Sequence, residues 1–90
     1  QGINLAVIMS IVSSVKQRGI EANIAFIADV GLTGELKKVP SIEIRVKELA
    51  RMGFKTVYVA KDSFSKEVDI HNIKKIAMKT WNDVIVDVYR

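Results

Sequence analysis

Two short runs of strand-forming residues on either side of one amphipathic helix constrain this chain more than any other feature. Residues 23–30 read NIAFIADV and residues 55–60 read KTVYVA. Both are rich in β-branched and aromatic side chains, which suit a pleated and largely buried surface. Between them, Ile42, Val46, Leu49 and Ala50 recur at helical spacing behind Pro40 and a Ser41 placed as N-cap. Glu43 and Lys47, four residues apart, are set to pair on the wet side, and Gly53 ends the helix. Strand, helix and strand in this order imply a crossover, which is right-handed when the strands are parallel. The expected fold class is therefore α/β, with a small mixed sheet covered by two to three helices.

The flanking segments add to this plan. Residues 4–18 carry Leu5, Ile8, Ile11, Val12 and Val15 at helical spacing, with Asn4 as a cap and Gly19 as the stop. Gly31-Leu32-Thr33-Gly34 breaks the first strand run, and residues 35–39 return as a second strand, so a hairpin is expected. Residues 61–71 are polar and carry no clear pattern, and residues 73–78 read as either a strand or part of a helix. Thr80 and Asp83 make a loose capping box, and Trp81, Val84, Ile85 and Val88 follow at helical spacing. This favours a last helix against the strand propensity of its β-branched residues. Met9, Met52 and Met78 read as core fillers.

Composition narrows the function classes. A chain of 90 residues is one domain's worth, able to bury roughly 60–65% of its unfolded surface. It is read as a single domain over residues 1–90 and, because it starts at Gln1 almost inside an apolar helical pattern, as a piece of a larger protein. Apolar residues make up 49% and charged residues 27%, a globular balance. The absence of cysteine excludes disulfides and thiolate metal sites and fits a cytoplasmic setting. The apolar stretch around residues 5–15 is too short and too interrupted by serine to span a bilayer, and no secretory signal pattern is visible. No P-loop sequence is present, so ATP binding by that route is not expected, and no cofactor is expected. His71 reads as a surface residue. The acid pairs of Asp62 with Glu67 and of Asp69 with Glu67 read as a solvated face. The net charge of +4 and pI near 9.5 permit contact with a polyanion, although lysine-rich solubility explains the charge as readily. The few aromatic residues are not interleaved with basic ones, which gives little support to base stacking.

The most specific run is Ala28-Asp29-Val30-Gly31-Leu32-Thr33-Gly34-Glu35-Leu36. It is followed by Ile42-Glu43-Ile44-Arg45-Val46-Lys47-Glu48-Leu49-Ala50-Arg51-Met52-Gly53-Phe54-Lys55. Together they resemble the Lon-protease-like C-terminal domain of bacterial RadA/Sms DNA-repair proteins, where G-E-V-G-L-T-G-E-V precedes I-E-x-R-L-K-E-A-x-x-L-G-F-K. Ala28-Asp29 stands where that family usually has G-E. Asn4-Leu5-Ala6-Val7 is similar to the family's D-L-A-V, and residues 72–89 match its ending.

The resemblance implies a fold like the Lon proteolytic domain and ribosomal protein S5 domain 2. Lon-type proteases use a serine nucleophile and a lysine base. The alignment puts Gly2 at the serine position and Arg45 at the lysine position. Glycine has no nucleophile, and arginine stays protonated up to a pKa above about 12. The implied domain is a non-catalytic scaffold and DNA-contact module of a ring-forming, DNA-dependent ATPase that acts in recombination and repair. Its expected partners are duplex or branched DNA, met through phosphates, and further copies of itself, with no membrane. The candidate DNA-binding residues are Lys37, Lys38, Arg45, Arg51 and Lys55. Two alternatives stand beside it. One is a divergent active Ser–Lys peptidase, with Ser10, Ser13, Ser14 and Ser41 as other candidate nucleophiles. The other is a pure oligomerisation module, marked by a large apolar surface patch.

Overall fold

The computed structural model describes residues 3–64 and 70–90. Nine elements follow in order: β1 (Ile3–Asn4), α1 (Leu5–Lys16), β2 (Ile24–Ile27), β3 (Asp29–Val30), β4 (Leu36–Lys37), α2 (Ile42–Arg51), β5 (Thr56–Ala60), β6 (Lys74–Met78) and α3 (Trp81–Val88). The α/β class expected from the sequence is the observed one. The strands, however, divide between two sheets instead of forming a single mixed one. A parallel sheet has the order β2-β5-β6, and a small antiparallel sheet has the order β1-β3-β4.

β5 is the centre of the molecule. Its alternation sends Val57 and Val59 to one face and Tyr58 and Ala60 to the other. Val57 and Val59 join a cluster with Ile42 and Val46 of α2 and with Ile70 and Ile73. Tyr58 and Ala60 join Leu5 and Met9 of α1, Ala28, Val30 and Val84 of α3. Helices therefore cover both faces of the parallel sheet, with α2 on one side and α1 and α3 on the other. Burial on both faces is the reason that KTVYVA reads as a continuous apolar run. The ambiguous residues 73–78 settle as a strand, β6, parallel to β5.

The run NIAFIADV is not one strand. β2 pairs with β5 and β3 pairs with β1 and β4, so the chain changes sheets at Ala28. The change is fixed by a bond from far away in sequence, since the Leu5 N–H donates to the Ala28 carbonyl at 2.8 Å. The hairpin expected after Gly31 is present as β3–β4, with Asp29 opposite Lys37 and Val30 opposite Leu36.

The helix ends partly depart from their expected chemistry. Asn4 caps α1 as expected, its side chain accepting the Ala6 N–H at 2.8 Å. Thr80 and Asp83 form a complete capping box on α3. Ser41 stands at the N-cap of α2 but in the left-handed region, at φ 58°, with no side-chain bond to the helix. An N-cap side chain reaches the free amides from extended backbone, so Ser41 marks the start of α2 without capping it. α1 stops at Gln17, which is left-handed at φ 54°, ahead of the expected stop at Gly19. Met9 is fully buried and Met78 half-buried, but Met52 is 66% exposed at the C-cap of α2, beyond its apolar stripe, and fills no core.

Candidate functional site

The start of α1, strand β2, the loop before α2 and one flank of α2 enclose an open groove of about 720 Å³. Its lining includes Asn4, Asp29, Pro40, Ile44, Arg45 and Glu48. Local bonds set its shape. The Asn4 cap and the Leu5–Ala28 bond pin the start of α1 beside the switch between sheets. The left-handed turn at Ser41 directs α2 back over β2, and the Arg45 N–H donates to the Ser41 carbonyl at 3.1 Å. Gly2 lies outside the described residues, and the residues that follow it bring α1 to the rim of the groove that Arg45 lines.

Among the described residues, two of the cations of α2 are paired and one is not. Lys47 pairs with Glu43 at 3.1 Å and Arg51 with Glu48 at 3.0 Å. Among the described residues Arg45 has no carboxylate within ion-pair distance, and its side chain is exposed. A salt bridge from Arg45 to Glu43, Glu48 or Asp29 is therefore not made. Arg51 faces a second, shallow groove of about 350 Å³, with Lys47, His71 and Asn72. His71 is exposed there.

The five basic residues singled out in the sequence do not share one surface. Lys37 is exposed on β4, opposite the groove-lining Asp29, and Lys38 is exposed just ahead of the groove-lining Val39 and Pro40. Of the five, only Arg45 lines that groove itself. Arg51 lies six residues further along α2, roughly 9 Å along the axis, and on the other flank. Lys55 is exposed at the entry to β5, where its carbonyl accepts the Lys74 N–H at 2.9 Å, which brings a lysine of β6 alongside.

The glycine-rich segment that carries the strongest sequence signal is occupied with its own closure. Thr33 donates to the Glu35 carboxylate from its hydroxyl at 2.7 Å and from its N–H at 3.2 Å. These bonds, the hydroxyl first, hold Glu35 below the usual carboxylate range. Gly34 is left-handed at φ 88°, and a Cβ there would lie 2.9 Å from Trp81 Nε1. Only glycine combines that backbone with so close an approach. The Trp81 N–H donates to the Gly34 carbonyl at 3.1 Å, which ties the hairpin to the start of α3.

Two further features were not foreseen. Ile3, Ile8, Ile11, Val12, Leu32 and Trp81 are among the residues lining an apolar groove of about 460 Å³ between α1 and the hairpin. The Tyr58 hydroxyl donates to Asp87 Oδ2 at 2.6 Å, and burial first, then this acceptor, pushes the phenol well above its ordinary range. Among the described residues no three of His, Cys, Asp and Glu gather as a metal site. No described helix is long and apolar enough to cross a membrane. The Ser13 and Ser63 hydroxyls donate to the backbone carbonyls of Arg18 and Ala60, and among the described residues no serine hydroxyl bonds a lysine.

No protein-family model matches the chain. Individual relatives do. The DNA repair protein RadA of Streptococcus pneumoniae is 36% identical over 87 residues, covering 97% of this chain and 21% of the relative. RadA of Listeria monocytogenes is 34% identical over 79 residues, covering 82% of the chain and 17% of the relative. RadA of Bacillus subtilis is 46% identical over 57 residues, covering 63% of the chain and 12% of the relative. The chain thus spans about one fifth or less of the curated relatives it matches. Over the segment that they share, it belongs to the family of the RadA DNA repair proteins.

Proposed function

We propose that this chain is a non-catalytic, Lon-protease-like scaffold and DNA-contact domain of a RadA-type protein. The parent would be a cytoplasmic, DNA-dependent ATPase of recombination and repair. The observation that carries this reading is Arg45, an exposed cation without an ion-pair partner among the described residues, at the groove beside the start of α1. In a Lon-type enzyme a lysine base would stand at this position and a serine at Gly2. A guanidinium cannot take up a proton near neutrality, but its planar fork suits a phosphate. Lys37 and Lys38 extend the same positive edge. Contacts of this kind are independent of sequence and sensitive to salt.

The test is duplex-DNA binding across a salt series, with a Lys37→Glu, Lys38→Glu, Arg45→Glu variant beside the unaltered chain. The expected result is a linear fall of log affinity with log salt and near-complete loss of binding in the variant. Full affinity in the variant would sink the reading.

A second reading has its own observation. Beside its stripe of Ser10, Ser13 and Ser14, α1 presents an apolar face on which Val7, Ile11 and Val15 are 52%, 59% and 78% exposed, and Leu32 at the hairpin tip is fully exposed. A helix of this character is ordinarily covered, and a continuous apolar patch marks an interaction face. On this reading the chain contributes to assembly of copies into a ring. Sedimentation that depends on concentration in the unaltered chain, abolished by Ile11→Asp, supports it; a monomer at every concentration rejects it.

A further inference from the structure

The fold builds a basic and aromatic cluster that the sequence disperses. Tyr89 follows α3, while Lys16 and Arg18 stand at the end of α1. Lys16 Nζ lies 5.4 Å and the Arg18 guanidinium 5.0 Å from the centre of the Tyr89 ring. The two cations are therefore no more than about 10 Å apart, since each stands 5.4 and 5.0 Å from the same centroid. Both are exposed, and among the described residues neither has a carboxylate within ion-pair distance. Asp87, the carboxylate of the last turn of α3, is already engaged by Tyr58 at 2.6 Å and by Arg90 at 3.3 Å.

The cluster is held in place. The Arg18 carbonyl accepts the Ser13 hydroxyl at 2.8 Å and the Tyr89 hydroxyl at 3.2 Å. The left-handed Gln17 turns the chain so that Arg18 reaches the ring. The negative end of the α1 dipole accounts for Lys16 in its last turn, but Arg18 lies past the helix. Two exposed cations held within about a Debye length of each other, about 8–10 Å at physiological salt, concentrate positive charge where one anionic backbone can meet both.

We propose that Lys16, Arg18 and Tyr89 form a second DNA-backbone contact, separate in sequence and in fold from the Lys37, Lys38 and Arg45 edge. Lys16 and Arg18 take phosphates, and Tyr89 is the positioning residue that sets the guanidinium. This rests on the DNA-contact reading above and adds to it a place where the strand is held.

The experiment is the same duplex salt series on the chain, comparing it with Lys16→Ala, Arg18→Ala together and with Tyr89→Leu. Each phosphate contact adds about 0.9 to the slope of log affinity against log salt. The double variant is expected to lower that slope by about 1.8 and the affinity by tenfold or more at 0.1 M salt. Tyr89→Leu, with both cations retained, is expected to lower affinity while leaving the slope unchanged. If the unaltered chain binds duplex DNA and the double variant keeps its slope and affinity, this contact is overturned and the DNA-contact reading stands. If the unaltered chain does not bind, both fall. If polyglutamate of matched charge competes as well as duplex, the cluster is a general anion face and the DNA assignment is overturned.

Discussion

The hairpin between β3 and β4 and the helix α2 are neighbours in sequence and carry the same family resemblance, but they use their residues differently. In the hairpin, Thr33 and Glu35 bond each other at an exposed turn, and Gly34 packs its backbone against Trp81. In α2, Ile42 and Val46 serve the core, while Arg45 is left exposed at a groove. A sequence signal can therefore be specific because a turn admits no other residues, and the stronger signal here is of that kind. The residue with chemical freedom sits in the plainer segment.

The contrast can be broken most directly at Gly34. Replacing it by alanine puts a Cβ on left-handed backbone against Trp81 and is expected to cost on the order of 1–3 kcal/mol, read as a lower urea midpoint. Arg45→Ala should leave that midpoint within about 0.5 kcal/mol, as surface changes usually do. Equal losses at both positions would mean that Arg45 is as structural as the hairpin. A smaller effect separates the helix starts. Asn4→Ala removes a formed cap and should cost about 1 kcal/mol, whereas Ser41→Ala removes no bond and should change thermal stability by less than about 0.5 kcal/mol. A large loss at Ser41 would show that its hydroxyl has a partner.

The subtlest test is of the hairpin's own closure. Because the folded pKa of Glu35 lies below its ordinary value, its carboxylate supports the hairpin above the unfolded pKa. That support disappears as pH falls through the folded value. Thr33→Ala removes the hydroxyl donor that lowers this pKa most, so the Glu35 titration followed by carboxyl NMR should move up toward the ordinary carboxylate range. An unmoved titration would assign the shift to other groups.

Much of the fold was legible because burial writes itself into periodicity. β5 is covered on both faces and reads as unbroken apolar sequence, α2 is covered on one and reads as amphipathic, and Thr80 announces α3. The change of sheets at Ala28 left no local trace, because no glycine or proline marks it and the bond that enforces it comes from Leu5. The end of α1 was misplaced for a related reason. Ser13 and Tyr89 both hold the Arg18 carbonyl, and Gln17 accepts a left-handed turn that glycine was expected to supply. Of the candidate site, sequence located Arg45 by resemblance. It could not tell that Arg51 is paired with Glu48, nor that Lys16, Arg18 and Tyr89 meet, since side chains distant along the chain are brought together only by the finished fold.

The central position of β5 also sets the order in which this molecule can form and open. Its two partners, β2 and β6, lie on opposite sides of it in sequence, and each parallel pairing closes a long stretch of chain before any ladder bond is made. No local hairpin can nucleate the parallel sheet. Its assembly must wait for the helices that cover it, so folding is expected to be slow for a chain of this size. The amides of Val57, Tyr58 and Val59 should then exchange with solvent only when the whole molecule unfolds, while the two-residue strands β1, β3 and β4 exchange through smaller, local openings.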